Sequence, residues 1–204
     1  KFALAQKYTY CHERKDFKYI YPGRRTKDLV DLDKNLHEMI CKKLISIFHN
    51  NEYDVMRWEM STNFQSVTEK YNEGVIHTDK NTIFAAVIYL TPNASLNTGT
   101  TLWRKNKTFN QARYELAQAE NDRKFRAGDI VMDTGYHKMF DEIVRVNNVY
   151  NTLILYEGRH FHSANRFFGE TLKNSRLAQV FFINKIDAQK HSVFPIRRVE
   201  AIKV

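Results

Sequence analysis

Residues 83–90 (Ile-Phe-Ala-Ala-Val-Ile-Tyr-Leu) form an apolar run of strand length, rich in β-branched and aromatic side chains. Such a run, bounded here by Thr82 and Thr91, reads as a β-strand. Just before it in the chain stands Gly74-Val75-Ile76-His77-Thr78-Asp79. The spacing predicts a short strand over 75–79. Side chains alternate along a strand with period two, so His77 and Asp79 would share one face.

The chain around this pair has the pattern of a β-rich protein. Alternation favours strands over 53–68, 100–104, 140–146, 151–156, 160–163 and 176–183, and 130–132 is a weaker candidate. One or two short strands and a Tyr21-Pro22-Gly23 turn precede them. The clearest helix covers 27–48, where Leu29, Leu32, Leu36, Ile40, Leu44 and Ile47 recur at three- to four-residue steps. Thr26 is its expected N-cap, and its apolar stripe should pack on a sheet. A second, more polar helix is expected over 109–124. Many short strands with flanking helices suggest a mainly β, α+β architecture, a sandwich or jelly roll.

Composition sets outer limits. A chain of 204 residues suits a single domain 1–204, and 43% hydrophobic content supplies a core. With 7 Gly and 3 Pro, a linker-rich or disordered chain is excluded. The 32 basic and 23 acidic residues give a net charge of +9. A basic surface attracts anions: nucleic acid, an acidic protein or a small carboxylate. Cys11 and Cys41 follow no metal or redox spacing, and no signal peptide or membrane span is visible. A reducing, cytoplasmic setting is therefore expected, with no membrane partner. The chain opens on Lys1 rather than Met, so a processed or upstream N-terminus is expected.

A His-x-Asp pair by itself is weak, because 8 His and 11 Asp in 204 residues yield roughly 0.4 such pairs by chance. Two such ligands with a second distant His would form a 2-His-1-carboxylate facial triad, which leaves open positions on Fe(II). More specific is the order of the motifs C-terminal to the pair: Tyr89-Leu90-Thr91, Thr98-Gly99-Thr100, His162-Ser163, and Arg176-Leu177 fourteen residues beyond His162.

That ordered set resembles the Fe(II)/2-oxoglutarate-dependent dioxygenases, in particular the prolyl-hydroxylase-like branch, over about residues 74–183. The elements Tyr21-Pro22-Gly23-x-Arg25 and Arg176-Leu-Ala-Gln-Val-Phe-Phe are similar to a subgroup found in phage and bacterial genomes. The resemblance implies a double-stranded β-helix (jelly-roll) core at 74–183. Segment 1–70 would supply supporting strands and helix, and 184–204 a basic C-terminal extension. Thr91 and Thr98 depart from the Asn and Gly usual at those positions, and the helix at 109–124 is an insertion.

The resemblance further implies site residues and cofactors. His77, Asp79 and His162 would be the catalytic metal ligands for Fe(II), with 2-oxoglutarate and O2 as cosubstrates. His160, on the same face as His162, is the alternative distal ligand, and His137 a lesser one. Arg176 would hold the distal carboxylate of 2-oxoglutarate, since a guanidinium fork suits a carboxylate better than an ammonium does. Tyr89 could add its hydroxyl there. Without a ligand, Arg176 would instead be expected to pair with an internal Asp or Glu, and Tyr89 to be a core aromatic. The implied reaction is hydroxylation of a substrate C–H bond with succinate and CO2 as co-products, and the carboxylate of Asp79 favours this over halogenation. The substrate is left open among peptidyl proline, an amino acid and nucleic acid. A cupin-like binding module without turnover and a basic nucleic-acid-binding protein are the competing functions.

Overall fold

The computed structural model describes residues 1–14, 20–47, 56–188 and 200–201. Among these the chain is mostly β. In order it forms β1 (Thr9–Tyr10), β2 (Arg24–Arg25), α1 (Leu29–Leu32), α2 (Lys34–Ile45), β3 (Met56–Val67), β4 (Phe84–Tyr89), β5 (Thr100–Lys105) and α3 (Gln111–Ala127). Next come β6 (Phe140–Val146), β7 (Leu153–Glu157), β8 (Phe161–Ala164), β9 (Arg176–Ala188) and β10 (Glu200–Ala201).

The described strands make two sheets. The larger runs β1-β2-β3-β9-β4-β7, with β10 beside β9, and the smaller runs β6-β5-β8. All pairs are antiparallel except the short β9–β10 pair. Strand β9 lies at the centre of the larger sheet. One edge pairs with β3 from Val67↔Arg176 to Met56↔Ala188, and the other with β4 from Tyr89↔Ala178 to Phe84↔Ile183. It is five residues longer than the expected 176–183, so the division expected at 183/184 falls inside a strand. Beyond 184–188 and 200–201, the expected C-terminal segment lies outside the described residues, as do 53–55 of the expected strand at 53–68.

The apolar run at 83–90 is explained by its position. Phe84 and Ala86 on one face of β4 pack with Leu44 and Ile45 of α2 and with Phe181 and Ile183 of β9. On the other face Val87 and Tyr89 pack with Ala178 and Val180. A strand covered on both faces has no solvent side to mark with polar residues.

The single helix expected over 27–48 is two helices. Asp33 leaves the helical region (φ −159°) and its carboxylate accepts from the Leu36 N–H at 2.9 Å, capping α2. Asp28, not Thr26, caps α1 by accepting from the Val30 N–H. Short carboxylate side chains compete with the backbone for its own N–H groups, and here they break one periodic stripe into two helices. Thr26 is used elsewhere: its hydroxyl accepts from the Phe64 N–H and donates to the Lys27 carbonyl. Helix α3 is capped by Asn110 and ends at Gly128 in the left-handed region (φ 85°).

Two expected strands do not form. Residues 130–132 are irregular: Asn121 of α3 donates to the Asp133 carbonyl and accepts from its N–H, which ties that backbone to the helix. Segment 75–79 makes a single β-bridge, His77 to His162, rather than a strand. Among the described residues no helix is long and apolar enough to cross a membrane. Cys11 and Cys41 are both buried.

Candidate metal centre

The segment 74–79 lies along β8. Gly74 donates to the Ala164 carbonyl, His77 and His162 exchange both backbone hydrogen bonds (3.1 and 3.0 Å), and Asp79 donates to the Gly158 carbonyl. A Cβ on Gly74 would stand 2.8 Å from the Ala164 backbone nitrogen, so the close approach requires glycine there. Ile76, fully buried, fixes the segment from behind. Its carbonyl accepts from the Tyr136 hydroxyl and from Gln118, and its N–H donates to His137 Nε2.

This pairing sets His77 opposite His162, with ring centroids 4.3 Å apart. Asp79 Oδ1 lies 3.8 Å from His77 Nε2, and Asp79 Oδ2 lies 3.4 Å from His162 Nε2. One donor atom from each of the three residues lies within 4.8 Å of the others. The two-residue spacing thus works through a single bridge and the turn after it.

The hydrogen bonds select the tautomers. His77 Nδ1 is 2.9 Å from the Val75 carbonyl and His162 Nδ1 is 2.9 Å from the His160 carbonyl. A carbonyl only accepts, so each Nδ1 carries a proton and Nε2 is the ring atom left to bind a metal. Burial, followed by the neighbouring His77, pushes the His162 pKa down to about 4 against the pull of Asp79. His162 is therefore a neutral imidazole at ordinary pH. This is the protonation state a metal ligand needs.

The alternatives sit elsewhere. The His160 side chain is exposed, and its carbonyl is what meets His162. His137 faces a separate cavity of about 290 Å³.

The three donors open onto a cavity of about 1280 Å³ lined by both sheets, and Arg176 and Tyr156 line it too. Arg176 is buried, and among the described residues no Asp or Glu pairs with it. Its guanidinium is held by neutral oxygens: Nε donates to the Thr98 carbonyl at 2.9 Å, and Nη2 to the Gly99 carbonyl and Thr100 Oγ1 at 3.4 Å. The turn 98–100 therefore positions an arginine. A Cβ on Gly99 would collide with the Val146 carbonyl. Thr98 is harmless at its position because the turn uses its carbonyl, while its hydroxyl donates to Ser95. Thr91 bridges the strands, donating to the Ser175 carbonyl and accepting from the Leu177 N–H.

Tyr89 lies behind Arg176 rather than in the cavity lining. Its ring is 5.4 Å from the guanidinium carbon and its hydroxyl donates to Thr100 Oγ1. Tyr156, which sequence reasoning missed, does line the cavity, beside the His162 ring. Burial, and secondarily Asp79, raise its phenol well above the ordinary value, so it is a neutral hydroxyl. Only the register Ala85↔Tyr156 places it there, and nothing local to residue 156 announces it.

Fold and side chains together define a β-rich protein with a possible His-Asp-His metal site. The chain belongs to the family of unknown function DUF6445, whose model matches residues 2–177. No curated protein matches it. Among solved structures it is similar to the crystal structure of HygX from Streptomyces hygroscopicus with nickel and 2-oxoglutarate bound. The identity is 12% and the TM-score 0.46, over 98% of this chain and 83% of that one.

Proposed function

We propose that this protein is a non-haem Fe(II)- and 2-oxoglutarate-dependent oxygenase that hydroxylates a substrate C–H bond, on a double-stranded β-helix core. The observation that carries the reading is one shared cavity. It presents two Nε2 atoms and a carboxylate to a common point, and it also holds a buried arginine whose partners among the described residues are neutral oxygens. Two imidazoles and one carboxylate are the donor set of an open Fe(II) site. A buried guanidinium lacking a carboxylate is costly unless an anion completes it.

Each residue has a role in this reading. His77, His162 and Asp79 hold the ion, and the Val75 and His160 carbonyls keep the rings turned towards it. Arg176 receives the distal carboxylate of 2-oxoglutarate, oriented by the carbonyls of Thr98 and Gly99. Tyr156 offers a neutral hydroxyl in the wall of the same cavity. Tyr89 supports the arginine from behind. When bound, Fe(II) with 2-oxoglutarate and O2 supplies oxidation of the C–H bond, leaving succinate and CO2.

The test is an anaerobic titration of the protein with Fe(II) and 2-oxoglutarate, following the visible metal-to-ligand charge-transfer band. The band is expected in the wild type. Folded, iron-loaded protein without it would replace the oxygenase by a metal-holding module of cupin type.

A further inference from the structure

The cavity contains a second arginine that the proposed chemistry does not use. Arg25 lies on the two-residue strand β2, opposite Gln65 of β3. Its guanidinium carbon sits 4.4 Å from the centre of the Tyr21 ring and 5.3 Å from that of Phe182, so aromatic rings flank the cation. Nη2 donates to Gln65 Oε1 at 3.2 Å, and Gln65 is itself held by the Pro22 carbonyl at 2.8 Å. Among the described residues the buried Nε has no hydrogen-bond partner, and no carboxylate lies in ion-pair range of the side chain. Arg25, Tyr21 and Gln65 line the same cavity as His77, Asp79 and His162.

These features are those of an anion receptor. A guanidinium flanked by two rings and bonded to one amide has lost its freedom before any ligand arrives, and among the described residues no carboxylate neutralises it. Aromatic faces favour the cation, and the planar fork matches a carboxylate. Burial lowers its pKa to about 10, with Tyr21 and then Asp79 opposing, so it is charged at neutral pH and near enough to feel the metal-ligand carboxylate. Arg176 differs in having its Nε already bonded to the Thr98 carbonyl.

We propose that Arg25 binds a carboxylate of the substrate, making this an oxygenase of organic acids, a role that rests on the oxygenase reading of the same cavity. Tyr21 and Phe182 flank the guanidinium, and Gln65 accepts from its Nη2. The cosubstrate and the substrate then use different arginines, Arg176 and Arg25.

The experiment uses two probes of equal length. Anaerobic protein with Fe(II) and saturating 2-oxoglutarate is titrated calorimetrically with glutarate and, separately, with glutaramide, its uncharged diamide. Wild type is expected to take up one further equivalent of glutarate and no glutaramide. Arg25→Gln should weaken glutarate by roughly tenfold to a hundredfold, the loss of one charge-assisted contact, without moving the 2-oxoglutarate titration. Arg25→Lys keeps a cation without the fork and should fall between, and it carries the test if the Gln variant does not fold. Equal glutarate affinity in wild type and Arg25→Gln, or no second equivalent in wild type, overturns the proposal. So does an Arg25→Gln protein that loses 2-oxoglutarate while Arg176→Gln keeps it. If wild type gives no charge-transfer band, the oxygenase reading fails separately. Glutarate uptake by metal-free protein, abolished in Arg25→Gln, would then uphold a carboxylate site at Arg25 by itself.

Discussion

The ring of Tyr156 lies 4.7 Å from the ring of His162, tilted by 54°. Its hydroxyl is kept neutral by burial, and the residue belongs to the wall shared by His77, Asp79, His162 and Arg176. Tyr156→Phe should therefore leave Fe(II) affinity unchanged and weaken 2-oxoglutarate by about fivefold to tenfold, one hydrogen bond's worth. Tyr89→Phe should do less, since that hydroxyl is engaged by Thr100. Half-saturation of the charge-transfer band measures both, and a larger loss for Tyr89→Phe would reverse the assignment.

Removal of any ligand should abolish the site. His77→Ala, His162→Ala and Asp79→Ala are expected to lose Fe(II) in equilibrium dialysis. His160→Ala should retain it, because residue 160 contributes only its carbonyl. Loss of metal in His160→Ala with retention in His162→Ala would exchange the two histidines.

Arg176→Gln should bind Fe(II) normally but 2-oxoglutarate at least about a hundredfold more weakly, as a charge-assisted pair is lost. Arg176→Lys should restore only part of that, since an ammonium cannot reproduce the fork. An unchanged 2-oxoglutarate titration in the Gln variant would remove Arg176 from the anchor role.

His137 gives a pH signature unrelated to metal binding. Burial lowers its pKa below 6.5, with Glu73 and Asp133 opposing, and its neutral Nε2 accepts from the Ile76 N–H. Above the ordinary value both folded and unfolded chains are neutral there, and stability is complete. As the pH falls through 6.5 the unfolded chain gains a proton that the folded chain resists, so stability declines. Urea unfolding of metal-free protein should show this decline, and His137→Gln should flatten it. The shift at His162 has the same sign and leaves a residual slope.

Asp33→Ala should cost about 1 kcal/mol by removing the cap of α2. Asp28→Ala should cost more, because Asp28 also accepts from the Thr62 N–H across to β3. Thermal melts of the two variants against wild type decide the order.

Legibility in the sequence followed physical range. The strands β4 to β9 stand out through local alternation and His77-x-Asp79 through its two-residue spacing, whereas His162 and Arg176 are singled out only by what the ordered motifs resemble. The helix break at Asp33 was hidden because the apolar stripe continues on both sides of it. The far end of β9 was hidden by Asn184, Lys185 and Asp187, which look like a polar tail. A register shift between Glu59 and Met60 accommodates the pairing there. Nothing local to Arg25 or Tyr156 marks either as a cavity residue, although Arg25 belongs to the Tyr21-Pro22-Gly23-x-Arg25 motif. A two-residue strand has no period to read, and both enter the cavity only through pairing with residues 40 and 71 positions distant.

The central place of β9 has a consequence for synthesis. Strands β3 and β4 are made early, yet neither has its β9 partner until residues 176–188 have been translated. Closure of a sheet between strands so far apart, Met56 with Ala188 and Phe84 with Ile183, is slow and cannot begin while that partner is still inside the ribosome. Until then Phe84, Ala86 and their neighbours present an open, apolar strand edge. A nascent chain stalled before residue 176 thus keeps those strand edges without their β9 partner, the exposure that favours edge-to-edge aggregation.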